Sequence, residues 1–298
     1  KNLNLKSLPK IIFEVANVHG GSYAHFKKII SYYNTINYPK NLKSIKFQVL
    51  SANEISTPEY HWYKTYKKLY FSPDQWRNII RKSNIKTDIW LDLFDNYSFE
   101  ILRQNLNYVC GFKLQPSILY NVNLYNSLKT INLKKKIIIL NISGLPLKEI
   151  NEFLEKFNNL KPKKIIIQFG FQSYPTEIQD TNLNKIFEIK KNFPKYDFCM
   201  ADHADANHDF SLDVPLYSKL IGADFIEKHF CLSRKKSPYD KYSSLEPKQI
   251  KKLLKKINYL HNSFGNSFIN TKEQQYLSDS IQLPVAKKNL KSSAILSE

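Results

Sequence analysis

A chain of 298 residues that is 42% hydrophobic and 14% aromatic has the composition of a folded globular protein, which excludes intrinsic disorder and admits one barrel-sized core or two smaller ones. The formal net charge of +19 raises nucleic-acid binding, yet the cations are lysines apart from Arg77, Arg81, Arg103 and Arg234, whereas phosphate and base recognition favours arginine forks. Pairs such as Lys27-Lys28, Lys190-Lys191 and Lys251-Lys252 are spread over the predicted helices instead of forming one stripe, so a solvated basic surface is expected, with no nucleic-acid partner and a general attraction for anionic substrates.

The first apolar run, Lys10–Ala16, reads as a strand, and the residues before it as its approach and not as a signal peptide. Lys at residue 1 implies a stretch taken from a longer chain. A helical stretch follows at 23–33, then a strand at Ser44–Val49 and a long excursion over 50–72, a usual place for a functional loop. Ser72 before Pro73 caps a helix over 73–83, and after the strand Asp88–Phe94 a helix over 97–105 has Ser98 at its start. The strands Val109–Gln115, Lys136–Ile142 and Lys164–Gly170 alternate with helices over 121–130, 146–160 and 182–193. In the second of these, Ile150, Phe153, Leu154 and Phe157 keep the helical period. The strands Asp197–His203 and Phe225–Cys231 alternate with helices over 210–221 and from Glu246 to about His261. Eight strand–helix units in this length predict an α/β fold, a closed parallel (β/α)8 barrel of the TIM type, over 1–265. Residues 266–298 read as an extended linker. The longest apolar run, Lys136–Leu140, is strand-sized, far from the ~20 residues of a membrane span. Cys110, Cys199 and Cys231 form no disulfide framework, which predicts a cytoplasmic protein.

Strand alternation turns these elements into chemistry. Ile45, Phe47 and Val49 share one face of the second strand and Ser44, Lys46 and Gln48 the other; Phe112 and Leu114 oppose Lys113 and Gln115. Ile12, Glu14 and Ala16 lie together, as do Cys199, Ala201 and His203, and Glu227, His229 and Cys231. With the bulky faces packed on the helices, the lumen near the strand ends receives Glu14, Lys46, Gln48, Asp92, Lys113, Gln168, His203, Glu227 and His229. Burying so many ionisable groups is costly unless they pair, bind metal or meet charged ligands. The bland reading is an internal salt-bridge network of Glu14 with Lys46 and Lys113; the cluster's place at the carboxyl ends of the strands favours an active site. His203 and His229 end adjacent strands ~4.8 Å apart, so both imidazoles reach one divalent ion with positions left open. His208, Asp205 and Asp209 follow on a loop and suit a solvated role.

At these residues the chain resembles the sialic-acid synthase family, which comprises N-acetylneuraminate, legionaminate and pseudaminate synthases. The resemblance is carried in order by Phe13-Glu14 through His19-Gly20-Gly21, Ile45-Lys46-Phe47-Gln48, Phe112-Lys113-Leu114, Tyr174-Pro175-Thr176, Ala201-Asp202-His203, Gly222 through Glu227-Lys228-His229-Phe230, and Ser244-Leu245-Glu246-Pro247. Val285 through Lys291, then Ile295 through Glu298, is similar to the family's lead into a small antifreeze-like domain, which would follow the last residue.

The resemblance implies that His203 and His229 hold a divalent metal, manganese or magnesium, with Glu14 near it. It also implies that Lys46 and Lys113 grip the phosphate and carboxylate of phosphoenolpyruvate. Gln48, Asn141, Gln172 and Tyr174 would line the substrate pocket, and Asp240 would hold hydroxyls of the second partner, an N-acetylmannosamine-like amino-sugar aldose. A homodimer is implied, because in the family the terminal domain reaches the partner subunit's site. Departures accompany the likeness: Gln115-Pro116-Ser117-Ile118 where an acid is usual, Asn141 and Ala201 in place of serines, and Gln172 in place of asparagine. They imply a divergent branch with altered sugar preference or reduced activity. Competing readings are another metal-dependent aldolase or lyase, and a non-catalytic sugar-binding barrel, which the missing acid favours.

Overall fold

A computed structural model describes residues 7–170, 173–265 and 267–295. Contacts divide the chain into two units, Lys1–Asn262 and Ser263–Glu298. In the first, eight parallel strands pair in chain order and close on themselves. They are β1 (Lys10–Glu14), β2 (Lys43–Val49), β3 (Asp88–Leu93), β4 (Gly111–Leu114), β5 (Ile137–Asn141), β6 (Lys164–Phe169), β7 (Asp197–Asp202) and β8 (Phe225–His229). Helix α1 (Tyr23–Thr35) follows β1, and α2 (Ala52–Ile55), α3 (Tyr63–Leu69) and α4 (Pro73–Lys82) all follow β2. The remaining strands are followed by α5 (Asn96–Gln104), α6 (Val122–Leu128), α7 (Leu147–Asn158), α8 (Lys185–Asn192), α9 (Phe210–Leu220) and α10 (Pro247–Ser263). Each expected strand and helix is present, and the architecture is the (β/α)8 barrel. Among the described residues, no helix is long and apolar enough to cross a membrane.

The period-2 alternation separates two apolar layers. Ile11, Phe13, Ile45, Phe47, Leu91 and Phe112 belong to one large cluster with the helix residues Phe26, Tyr33, Trp76 and Phe153. The lumen floor is a separate plug of Ile12, Trp90, Ile139, Ile166, Cys199 and Phe225. The Trp90 indole fits there because its register partner is a glycine. A Cβ on Gly111 would stand 2.0 Å from the Ile137 carbonyl oxygen and 2.8 Å from the indole. Cys231 lies past the end of β8 and joins the outer cluster, not the lumen face that alternation assigned to it.

Local signals explain the helix starts. Ser72 accepts from Gln75 N while the Gln75 side chain accepts from Ser72 N, and Pro73 opens α4. In α5 the cap is Asp95, and Ser98 stands three residues inside, completing a reciprocal box. In the second unit, residues 271–280 form α11 (Thr271–Ser280) where an extended linker was expected. The reason is local: Asn270 and Glu273 make a capping box that supplies the first-turn donors with partners.

Candidate active site

The sequence sends every second side chain of each strand into the lumen, and above the apolar plug those residues are polar. Glu14 faces Lys46 across one seam and His229 across the other, while Asp92 faces Gln48 and Lys113. Lys46 Nζ lies 2.7 Å from Glu14 Oε2, 2.7 Å from Glu227 Oε2 and 3.4 Å from Asp92 Oδ2. Lys113 Nζ lies 2.9 Å from Glu227 Oε1 and 3.7 Å from Asp92 Oδ2. A salt-bridge network therefore exists, but Lys113 is tied to Glu227 and Asp92, not to Glu14 as the bland reading had it. The whole cluster is buried.

Three carboxylates against two ammonium groups in a dry lumen do not titrate alike. Burial pushes the Glu14 carboxyl up to about 7 despite Lys46, and Glu227 and Asp92 add to the rise. Burial acts on Glu227 the same way, but the ammonium groups of Lys113 and Lys46, both hydrogen-bonded to it, overcome burial and hold it well below the carboxylate range. Lys46 is raised well above its ordinary value, because Glu14, Glu227 and Asp92 outweigh its own desolvation. Glu227 is thus the fixed anion of the site, and Glu14 is the carboxyl that exchanges a proton near neutrality.

Amides extend the network towards the mouth. Gln168 Nε2 donates to Glu227 Oε2 at 2.8 Å, and Asn141 Nδ2 donates to Gln168 Oε1 at 3.2 Å and Gln115 Oε1 at 3.4 Å. Gln115 Nε2 donates to Asp92 at 2.9 Å. Glu14 Oε1 accepts from Ala16 N at 2.6 Å, where the chain leaves β1 through a left-handed residue. On the opposite rim Asn17 joins two expected residues, donating from Nδ2 to Gln48 Oε1 and from its backbone N to Asp240 Oδ2, each at 2.9 Å.

His203 and His229 come together with ring centres 5.1 Å apart, and the Tyr174 ring lies 4.6 Å from the first and 5.7 Å from the second. Burial and the neighbouring His203 hold His229 well below its ordinary pKa, so it presents a neutral imidazole. Its Nδ1 is buried without a hydrogen-bond partner. Two imidazoles that share one ion through bonds of about 2.1 Å at a near-tetrahedral angle have ring centres about 5 Å apart. Spacing, neutrality and the unsatisfied nitrogen therefore fit a divalent ion held by two protein nitrogens. Among the described residues no three of His, Cys, Asp and Glu converge as a ligand set, so the remaining positions would fall to water or substrate.

The other expectations divide. Gln172 lies outside the described residues. Ile118 packs its side chain against the outer apolar cluster. Asp205 accepts from Asn207 N, His208 Nδ1 accepts from Phe210 N, and Asp209 pairs with Lys252 on the surface, so all three serve their own loop and its neighbour helix. Sequence reasoning gave Glu227 a place in the lumen without its role as hub, and it missed Asn17. Parity along β8 was the only signal for the first, and no pattern marks the second.

A model of the NeuB family matches residues 23–268. The chain is 29% identical over 191 residues to the N,N'-diacetyllegionaminic acid synthase of Campylobacter jejuni, an alignment spanning 63% of this chain and 54% of that protein. It is 22% identical over 267 residues to the N-acetylneuraminate-9-phosphate synthase of Homo sapiens, spanning 86% and 71%. A solved N-acetylneuraminic acid synthetase from Leptospira borgpetersenii, in complex with citrate, shares the fold with a TM-score of 0.76 at 21% identity, covering 92% of both chains. With a family match over most of its length, and a barrel whose lumen carries the expected ionic cluster, this chain belongs to the NeuB family.

Proposed function

We propose that the protein is a nonulosonic (sialic-type) acid synthase that condenses phosphoenolpyruvate with an N-acetylmannosamine-like aldose and releases phosphate. The observation that carries this reading is the meeting, in one buried mouth, of two ammonium groups, a carboxyl poised near neutrality and a facing pair of imidazoles.

Lys46 and Lys113 are the cations available to the carboxylate and phosphate of the donor, and approach of that anion would loosen their hold on Glu14 and Glu227. The enol carbon of the donor forms the new bond to the aldehyde carbon, water adds to the neighbouring carbon, and phosphate departs with its bonding electrons. Glu14, held by Ala16 N at one oxygen, can give a proton to the developing alkoxide from the other or accept one from the incoming water. The Tyr174 ring packs beside both imidazoles and limits how far they can turn. A divalent ion held by His203 and His229, manganese or magnesium, would supply Lewis-acid polarisation of the aldehyde. The apolar seat of Ile118, where the family usually has an acid, is the observation favouring a binding-only barrel.

The two readings part in one assay. Phosphate release from phosphoenolpyruvate should require both an N-acyl mannosamine and manganese, and should stop with EDTA. His229→Ala should weaken manganese binding by more than about 100-fold, with the unfolding midpoint unchanged or raised because an unsatisfied buried nitrogen is removed. Sugar binding that neither needs metal nor leads to phosphate release would support the binding-only barrel. A His229→Ala protein that keeps its manganese affinity would end the metal assignment.

A further inference from the structure

On six strands of the barrel the last outward-facing residue is apolar: Phe13, Val49, Leu93, Leu114, Leu140 and Phe169 all join the outer cluster. On β7 and β8 the same places hold Asp202 and Lys228, both buried. Lys228 Nζ lies 2.8 Å from Asp202 Oδ2, and the two residues are partners in the last rung of the β7–β8 ladder. Strand alternation turns both side chains away from the lumen that Glu227 and His229 face, so neither meets a ligand there. The proposed condensation gives this ion pair no part.

A buried ion pair is a poor source of stability, because both charges are stripped of water and an apolar pair of similar volume does as well or better. Its better-attested use is to fix one register among several. Here Asp202 and Lys228 stand immediately before His203 and His229, and no β7–β8 rung follows theirs. Asp202 Oδ1 accepts from Ala204 N at 2.9 Å. One oxygen of this carboxylate therefore holds β8, while the other spans His203 from the residue before it to the residue after it. From above, the loop after β8 ties the same two strand ends: Ser243 Oγ donates to His203 O at 2.7 Å and Leu245 N to His229 O at 3.0 Å. We propose that Asp202 and Lys228 are positioning residues, which hold the ends of β7 and β8 at the spacing and rotation that let His203 and His229 share one divalent ion. This rests on the metal assignment above and adds to it two residues that never touch the ion.

The test titrates the full chain with cobalt(II), which reads affinity and, through its visible absorption band, the geometry of the ligands. Lys228→Met or Asp202→Asn alone leaves a buried charge or its partner unmatched and should lower both the unfolding midpoint and the cobalt affinity. The double variant removes both charges. Its midpoint should return close to that of the unchanged protein, while its cobalt affinity stays down by about tenfold or more and its band changes shape. Affinity and band that recover together with the midpoint would overturn the positioning role and leave the metal assignment standing. If the double variant does not fold, Asp202→Glu keeps the charge but displaces the carboxylate by one methylene, and an unaltered affinity and band there would overturn the role equally. An unchanged protein that binds neither cobalt nor manganese would sink the metal assignment and the role of the pair together.

Discussion

His19 shows how a single side chain can set the acid limit of this molecule. Its ring stacks on Phe26 with centres 4.7 Å apart and lies 4.9 Å from Phe71, and its Nδ1 accepts from Gly21 N at 3.0 Å. Burial lowers its pKa to about 3, with the nearby His25 contributing. The folded state therefore refuses a proton that the unfolded chain takes up below about 6.5. Stability contributed by the neutral ring is present above that value and is lost as the pH falls from 6.5 towards 3. The slope is at most ~1.4 kcal/mol per pH unit for the single proton. Urea unfolding at pH 7 and pH 5 should show this loss, and His19→Gln, whose amide does not titrate, should lose less over the same interval. Identical pH slopes for the two proteins would mean that His19 is not the acid-sensitive group.

The loop between β1 and α1 that carries His19 also carries Asn17, so the acid-sensitive ring and the rim of the site share one short segment. The ionic lumen works differently. Lys46 touches three carboxylates, and its removal would take from Glu14 the ammonium group that pairs with it, leaving Lys113 to Glu227 and Asp92. The contacts that gather the ionic groups in the lumen also hold them together.

At the scale of elements, β4 is the most constrained stave. It is the shortest strand, and its first residue, Gly111, leaves room for the Trp90 indole and the Ile137 carbonyl. Gly111→Ala should cost about 1–3 kcal/mol, since backbone or indole must shift to admit the methyl, measurable as a lower urea midpoint with the slope unchanged. A midpoint within error of the parent would show that the plug is loosely packed.

Much of this level is legible in the sequence because it rests on periodicity. Apolar period 2 and period 3.6 alternate from Lys10 to His261, broken by the excursion over 50–72, and the parity of Lys46, Lys113 and Glu227 sends each into the lumen. What periodicity cannot supply is who meets whom across a closed lumen. The pairing of Lys113 with Glu227, and not with Glu14, depends on the reach of side chains across the barrel, not on neighbouring strands. Short α2 and α3 escaped because each spans two turns or fewer, below the length at which a repeat can be recognised. Their side chains Ile55 and Tyr66 reach the mouth only because the excursion folds over it. Helix α11 escaped for a different reason: it buries no residue and so carries no apolar stripe to read.

For the whole barrel, the decisive contact is the seam where β1 meets β8, which places Glu14 opposite His229. These strands are the first and last of the eight, so this is the pairing with the highest loop-closure cost, and it is expected to form late. The family match begins at residue 23, after β1, yet Glu14 stands on that strand. A chain emerging from the ribosome has the lysines of β2 and β4 long before the imidazole of β8 is available to face them. Until that last stave docks, charged groups meant for a dry lumen remain wet and the pocket holds nothing. Manganese capture in stopped-flow refolding should therefore trail the helical circular-dichroism signal, and metal binding in step with helix formation would contradict late closure. On that ordering, ion capture is expected of the shut ring and not of any one segment along the chain.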